Sequence, residues 1–278
     1  MLRAVVISLA ALALSRTPAA AGPPEANASR KALSVSARTC GPHEVIVGNV
    51  CLDAYEAGVW RVPNPTTTNA ALVIKIRLGR ASRADLTAGG ATQLGVGIDD
   101  YAPCADDGHD CADDIYAVSL PSELPSAFAT WFQAQEACAN AGKRLPTSAE
   151  WQIGASGTPD PGTDDGVTDC NIRGADGAAT PTAERASCVS SRGAFDMVGN
   201  LAEWVAEWVP APLVCPGWAS FSDDAMCLGG ASTTQTAPGA LVRGGAFAGV
   251  GGSSAGPFAV VTFPPFHSTI FVGFRCVR

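Results

Sequence analysis

The chain holds three histidines, His43, His109 and His267, and no two of them have the HxxxH spacing of a helical metal site. His267, in the loop Pro264-Pro-Phe-His267, is the one candidate general base, set against its ordinary reading as an exposed loop histidine. No serine sits in a Gly-x-Ser-x-Gly elbow, so no acyl-transfer triad is assembled. The glycine-rich stretch Gly249 to Gly256 lacks the lysine and the following helix signal of a phosphate loop and reads as a permissive surface loop. Oxygen and sulfur remain. The run Asp196-Met-Val-Gly-Asn-Leu-Ala-Glu203 clusters oxygen donors around a glycine turn with a carboxylate at each end, which suits a hard cation such as Ca²⁺. The competing reading is that Asn200 and Glu203 bond the turn's own backbone and bridge to Arg275.

The elements that must position these groups are partly legible. Alternation around Gly48-Asn49 predicts a hairpin of Val45–Val47 against Val50–Leu52. Residues 69–78 and 82–87 are short helix candidates, the second stopped by Gly89-Gly90. A longer helix is expected over Ser126 to Ala141 with Gly142 as its stop. Thr147-Ser-Ala-Glu150 fits a capping box, in which the threonine oxygen and the glutamate side chain satisfy orphan amides reciprocally. Residues 157–192 are rich in Gly, Pro, Asp and Thr without periodicity and need a staple. Trp151, Trp204 and Trp208 read as core, whereas Trp60 and Trp218 are freer to stack on a sugar or peptide.

The ten cysteines take their meaning from compartment. Met1-Leu-Arg3, the apolar run Ala4 to Leu14 and Ala19-Ala-Ala21 have the three-part form of a secretory signal peptide cleaved after Ala21. The apolar run is too short for a bilayer, where about 20 residues are needed. Residues 22–38 read as a flexible leader. In an oxidising compartment the cysteines are disulfides, and short separations suggest Cys40–Cys51, Cys104–Cys111, Cys170–Cys188 and Cys215–Cys227. A net charge of −8 argues against nucleic acid or anionic membrane as partner. The acid pairs, such as Asp99-Asp100 and Asp164-Asp165, lack EF-hand spacing and read as solvated loop charge.

Four blocks in order, Gly142-Lys-Arg-Leu-Pro-Thr-Ser-Ala-Glu-Trp151, Phe195-Asp-Met-Val-Gly-Asn-Leu-Ala-Glu-Trp204, Val242-Arg-Gly-Gly245 and Gly273-Phe-Arg-Cys276, resemble the formylglycine-generating-enzyme (sulfatase-modifying factor) family. The resemblance runs from about Cys40 to Arg278. It implies an α+β, C-type-lectin-like FGE-sulfatase fold with much irregular structure, and an irregular strand at Glu203 to Trp208. It also implies a disulfide between the remaining pair, Cys138 and Cys276, and makes residues 61–125 a family-variable insertion. By the same resemblance Asp196, Gly199, Leu201 and Glu203 transfer as one calcium site, and Asn171 and Ile172 as the start of a second. Relatives that oxidise a sulfatase cysteine carry two copper-binding cysteines just after Arg-Gly-Gly. Here Gly249 and Ser254 occupy those positions and Ala246 replaces the adjacent serine. Neither can replace a thiolate for soft Cu(I), so copper is not expected. A three-histidine iron centre, as in the sulfoxide-synthase relatives, would have to recruit every histidine and is not expected either.

The reading is therefore a signal peptide (1–21), a leader (22–38) and one disulfide-stapled domain (39–278). It is exported, periplasmic or secreted, not inserted in a membrane, and stabilised by Ca²⁺. It acts as a binding or accessory module for a small-molecule, glycan or protein ligand. The alternative is an oxidoreductase of the periplasmic pyoverdine-maturation type on the same fold. The third is true sulfatase maturation, which requires a free cysteine.

Overall fold

The turn Gly48-Asn49, with Gly48 at φ 60°, joins strands β1 (Glu44–Val47) and β2 (Val50–Asp53) as the expected hairpin. The computed structural model describes residues 39–278 other than 112–113, 161, 173–176, 210–237 and 249–254. The expected signal peptide and leader and the Cys215–Cys227 pair lie outside the described residues. The chain end returns to β2, where Cys51 and Arg278 exchange backbone hydrogen bonds of 2.9 Å in both directions. Val277 bridges both Leu52 and Arg144. The ends of the folded body are thus zipped together.

Strand β3 (Ala57–Arg61) is followed by helix α1 (Ala70–Arg77), helix α2 (Arg83–Ala88), β4 (Thr92–Leu94) and β5 (Ile115–Ser119), with sheet order β4-β3-β5. Helix α1 turns Leu72, Val73 and Ile76 inward. Helix α2 has a capping box of Ser82 with Asp85 and ends on Gly89. Residues 61–125 do not form a separate appendage, since Leu72, Leu86 and Ile115 lie in the same core as Trp204 and Phe274.

Helix α3 (Trp131–Asn140) begins later than the expected Ser126. Ser126 is instead buried between two strands, accepting from Val59 N at 2.8 Å and donating to Leu94 O at 2.5 Å. Phe128 sits at φ 61°, outside helical geometry, and Thr130 with Gln133 provides the true capping box. The stop is as expected: Gly142 N bonds Ala139 O and Lys143 N bonds Cys138 O, a Schellman closure. Helix α4 (Ser148–Gly154) is capped by Thr147 with Glu150. It buries Trp151 completely.

The last sheet has the order β8-β7-β6-β9, from β6 (Ala202–Val209), β7 (Gly239–Arg243), β8 (Val260–Phe263) and β9 (Val272–Phe274). Strand β6 is irregular, its register shifting between Trp204 and Trp208, and it pairs antiparallel with β7 and parallel with β9. Disulfides join Cys40–Cys51, Cys104–Cys111, Cys138–Cys276 and Cys170–Cys188, and among the described residues no cysteine is free.

The Cys138–Cys276 bridge ties α3 to the residue after Arg275 across a separation of 138 residues. Replacing Cys138 and Cys276 together by Ala is expected to lower unfolding free energy by up to about 4–5 kcal/mol in the chain-entropy treatment. The urea midpoint, compared with that of the Cys40/Cys51 double variant, which opens a shorter loop, measures it.

Candidate functional site

Alternation along β6 and β7 separates two environments. On one face Glu203 lies opposite Arg243, and on the other Trp204 lies opposite Val242. The first face carries charge, the second an apolar groove.

On the charged face Glu203 is 1% and Arg275 0% exposed. Arg275 Nε donates to Glu203 Oε2 at 2.7 Å and Nη2 donates to Oε1 at 2.6 Å, a two-pronged pair. Trp151 Nε1 also donates to Oε2 at 2.7 Å. The remaining guanidinium donors reach the carbonyls of Asp53 and Phe195. Burial pulls the Arg275 pKa down, but Glu203, Glu56 and Asp196 outweigh it and the net direction is up.

Two more carboxylates share this neighbourhood. Glu56, which carried no signal in the sequence, is 1% exposed. It accepts from Asn200 Nδ2 and, at 2.9 Å, from the amide of Leu201. Burial, then Asp196 and Glu203, push its pKa well up. Asp196 accepts from Ala183 N at 2.8 Å, and burial moves its pKa from 3.8 to about 7 against the opposing pull of that bond and of Arg275. The turn between these carboxylates is left-handed at Asp196 (φ 57°), Gly199 (φ 77°) and Asn200 (φ 53°). A Cβ at Gly199 would stand 2.2 Å from the Asn171 carbonyl oxygen, so only glycine lets the two chains meet. Asn200 is the hub: its Oδ1 accepts from Thr180 N and Asn171 Nδ2, and its Nδ2 also reaches Thr180 O.

Measured against the expected calcium ligands, the donor set divides. Both oxygens of Glu203 are engaged by Arg275 and Trp151, so Glu203 does not fit a cation ligand as placed; it makes the competing bridge to Arg275. Asp196, Gly199 and Leu201 do flank the same turn. Asn171 stands against Gly199, and its Oδ1 is a buried acceptor with no partner, which fits a hard cation. Ile172 follows it, its amide 3.3 Å from Asp164 Oδ2.

The groove, of about 200 Å³, is lined by Ala202, Val242, Gly245, Ala246, Ala248, Ala259, Val261, Phe263, Phe271 and Val272. Its floor follows from the Arg-Gly-Gly turn. Gly244 (φ 83°) packs where a Cβ would be 3.0 Å from Met197 O and 3.1 Å from Trp151. The turn sends Phe247 N back to Asn200 O at 2.8 Å. Ala246 thus reaches the groove, while Gly249 and Ser254 lie outside the described residues. His267 touches the groove only through Phe263, on which it stacks at 4.8 Å and 11°. Partial burial lowers its pKa. His43 packs on Tyr55 and His109 pairs with Asp107, so the three histidines do not converge. Trp60 is 3% exposed under Arg83, which removes it as a sugar platform, and Trp218 lies outside the described residues. Glu207 is bound to the Ser148 amide at the start of α4.

Residues 106–278 match the family described as "Sulfatase-modifying factor enzyme 1-like domain". Among solved structures, the Major Tropism Determinant P3c variant is similar at 18% identity and TM-score 0.45, over 87% of this chain and 53% of that one. The chain therefore spans about half the length of that protein. PvdO from Pseudomonas aeruginosa is similar at 17% identity and TM-score 0.43, over 82% of this chain and 80% of that one. Treponema denticola variable protein 1 is similar at 16% and 0.42, over 82% and 84%. The search of curated proteins finds no match.

The Asp196 carboxyl binds a proton in the folded chain at pH values where the unfolded chain has lost it. Its contribution to stability is therefore full below about pH 4 and lost as pH rises through about 7. In EDTA, the urea midpoint at pH 5 is expected to exceed that at pH 8, and Asp196→Asn is expected to reduce the difference, the remainder coming from Glu56, whose pKa burial also raises.

Proposed function

Because the chain belongs to the sulfatase-modifying factor enzyme 1-like family, we propose that it is an exported, calcium-stabilised member that binds a ligand without cysteine–copper formylglycine chemistry. The observation that carries this is the groove beside the Arg-Gly-Gly turn. Its walls are Ala, Val, Phe and Gly, and Ala246 stands where the family's active-site serine is expected. Gly249 and Ser254 offer no thiolate to Cu(I). Eight of the ten cysteines are committed to disulfides, which supports an oxidising compartment and hence export. Calcium is supported by the unpartnered Asn171 Oδ1 and by the surplus of carboxylate around a single guanidinium. Asn171, Ile172 and Asp196 are the residues to hold it, with Glu203 left to Arg275. The ion would supply positive charge and cross-link the Asn171 and Gly199 segments.

The groove selects an uncharged apolar group. A cavity of about 150 Å³ holds benzene, so this one takes a ring with a short substituent or a branched aliphatic chain. A glycan is disfavoured, since its hydroxyls would leave water for walls that offer no hydrogen bonds. A second reading, an enzyme of non-copper mechanism, is favoured only by His267 lying against the groove wall. In that case turnover falls with His267→Gln while ligand affinity holds.

Copper titration, thiol counting and ligand-observed NMR with substituted benzenes on one calcium-loaded sample test the proposal. Expected are no tight Cu(I) binding, no reactive thiol, ring binding that weakens at least tenfold in Ala246→Phe, and a melting temperature that drops on chelation in the native chain but not in Asn171→Ala. Tight copper with two reactive thiols would restore the oxidase reading. Ring binding unchanged by Ala246→Phe would remove the groove as the ligand site.

A further inference from the structure

Strand β8 ends the four-stranded sheet, and among the described residues nothing pairs with its outer edge. Gly244 N donates to Ala259 O at 3.4 Å, and β7 and β8 continue in register from Arg243 opposite Val260 to Ala240 opposite Phe263. Antiparallel ladders alternate between bonded and non-bonded pairs. The backbone N–H and C=O groups of Val260 and Thr262 therefore point away from β7, into the open edge. Soluble proteins ordinarily blunt such an edge with lysine, proline or an inward charge. This edge has none of them along the strand. Val260 is 50% and Val261 46% exposed, and Phe258 just before them is 81% exposed.

Charge indicates what covers it. From Gly244 to Phe274 the sequence has no Asp, Glu, Lys or Arg, in a chain of net charge −8. Two copies of an acidic chain repel over a Debye length of about 8–10 Å, except where each presents a face without charge. Cationic and anionic partners both lack anything to pair with here. Asp160 sits by Gly256 at the approach to the strand rather than along it. The opposite end of the sheet is closed, because β9 is buried throughout. Joining two β8 edges by a two-fold axis uses the same edge on both copies, the open edge of this sheet among the described residues, which gives a closed pair and not a growing filament.

We propose that β8 pairs edge to edge and antiparallel with β8 of a second copy, making a two-fold dimer through a continuous eight-stranded sheet. Four residues of strand plus Phe258 make a contact below the standard size of stable interfaces. The dimer is therefore concentration-dependent. The proposal does not rest on the groove's ligand, and its test reads association instead of ligand affinity.

Sedimentation velocity of the full exported chain over a hundredfold concentration range is expected to show a reversible monomer–dimer shift. Amide exchange at Val260 and Thr262 in the unaltered chain is expected to slow as the dimer forms. Val260→Lys and Thr262→Lys are each expected to weaken dimerisation at least tenfold. Ile74→Lys, on an exposed apolar residue of α1, is expected to leave it unchanged. A monomer at every concentration, a dimer indifferent to the β8 lysines, equal loss in Ile74→Lys, or open-ended growth would each overturn the proposal.

Discussion

The junction of β2, α4, β6 and the chain after β9 depends on the buried pair of Glu203 and Arg275. Removing two charges from water is costly, and such a pair holds only when its geometry is near ideal and its remaining hydrogen-bonding capacity is met. Both conditions are satisfied here. The guanidinium grips both carboxylate oxygens, and its other donors end on the carbonyls of Asp53 and Phe195. Trp151 closes the remaining side. One ion pair thus fixes β2, α4, the turn before β6, β6 itself and the chain after β9. Three of the family's four sequence blocks meet at it, through Trp151, through Phe195 with Glu203, and through Arg275.

The same pair governs its neighbours' electrostatics. One guanidinium is shared among Glu203, Glu56 and Asp196, and Glu203 takes the bonds. Glu56 and Asp196 are left buried with amide donors but without a full counter-charge, and both hold their protons above the usual carboxylate range. Strand alternation keeps this charge out of the groove. Ala202, Val242, Val261 and Val272 line the groove, whereas Glu203 and Arg243 lie on the opposite face. On that opposite face the charges of Glu203 and Arg243 sit beside an apolar cluster that includes Val205, Leu241 and Trp151.

What was legible in the sequence was local. The Gly48-Asn49 hairpin, the Thr147 capping box and the Gly142 stop are each specified by residues within one turn of one another, and each forms as expected. Helix α3 starts at Trp131 and not at Ser126 because the Ser126 hydroxyl is claimed by Val59 and Leu94, residues distant in sequence. Glu56 escaped notice for the same reason. Nothing around it signals a site, and it gains its role only from Asn200 and Leu201, 144 and 145 residues away. Trp60, outside the family blocks, is free in sequence terms to stack on a ligand, and no sequence pattern reports that it will be buried with Arg83 over its ring. For Glu203 the sequence offered both a cation ligand and an arginine partner. Only the position of Arg275, brought back across the whole domain, decides between them.

The four family blocks carry structural demands that are independent of activity. Gly244 is favoured because its φ is 83° and a Cβ would crowd Met197 O at 3.0 Å and Trp151 at 3.1 Å, Gly199 is required because Asn171 O leaves no room for one, and Thr147 with Glu150 because a helix must be capped. Each of these demands comes from packing and would persist in a chain that had never catalysed anything. No such demand is seen at the groove-facing positions Ala246, Ala248 and Ala259, and the groove they share is apolar. A fold can keep its scaffold blocks intact while its open face changes chemistry. The family match therefore accounts for the fold through the Glu203–Arg275 centre, and the binding role proposed above draws its support from the groove's own walls.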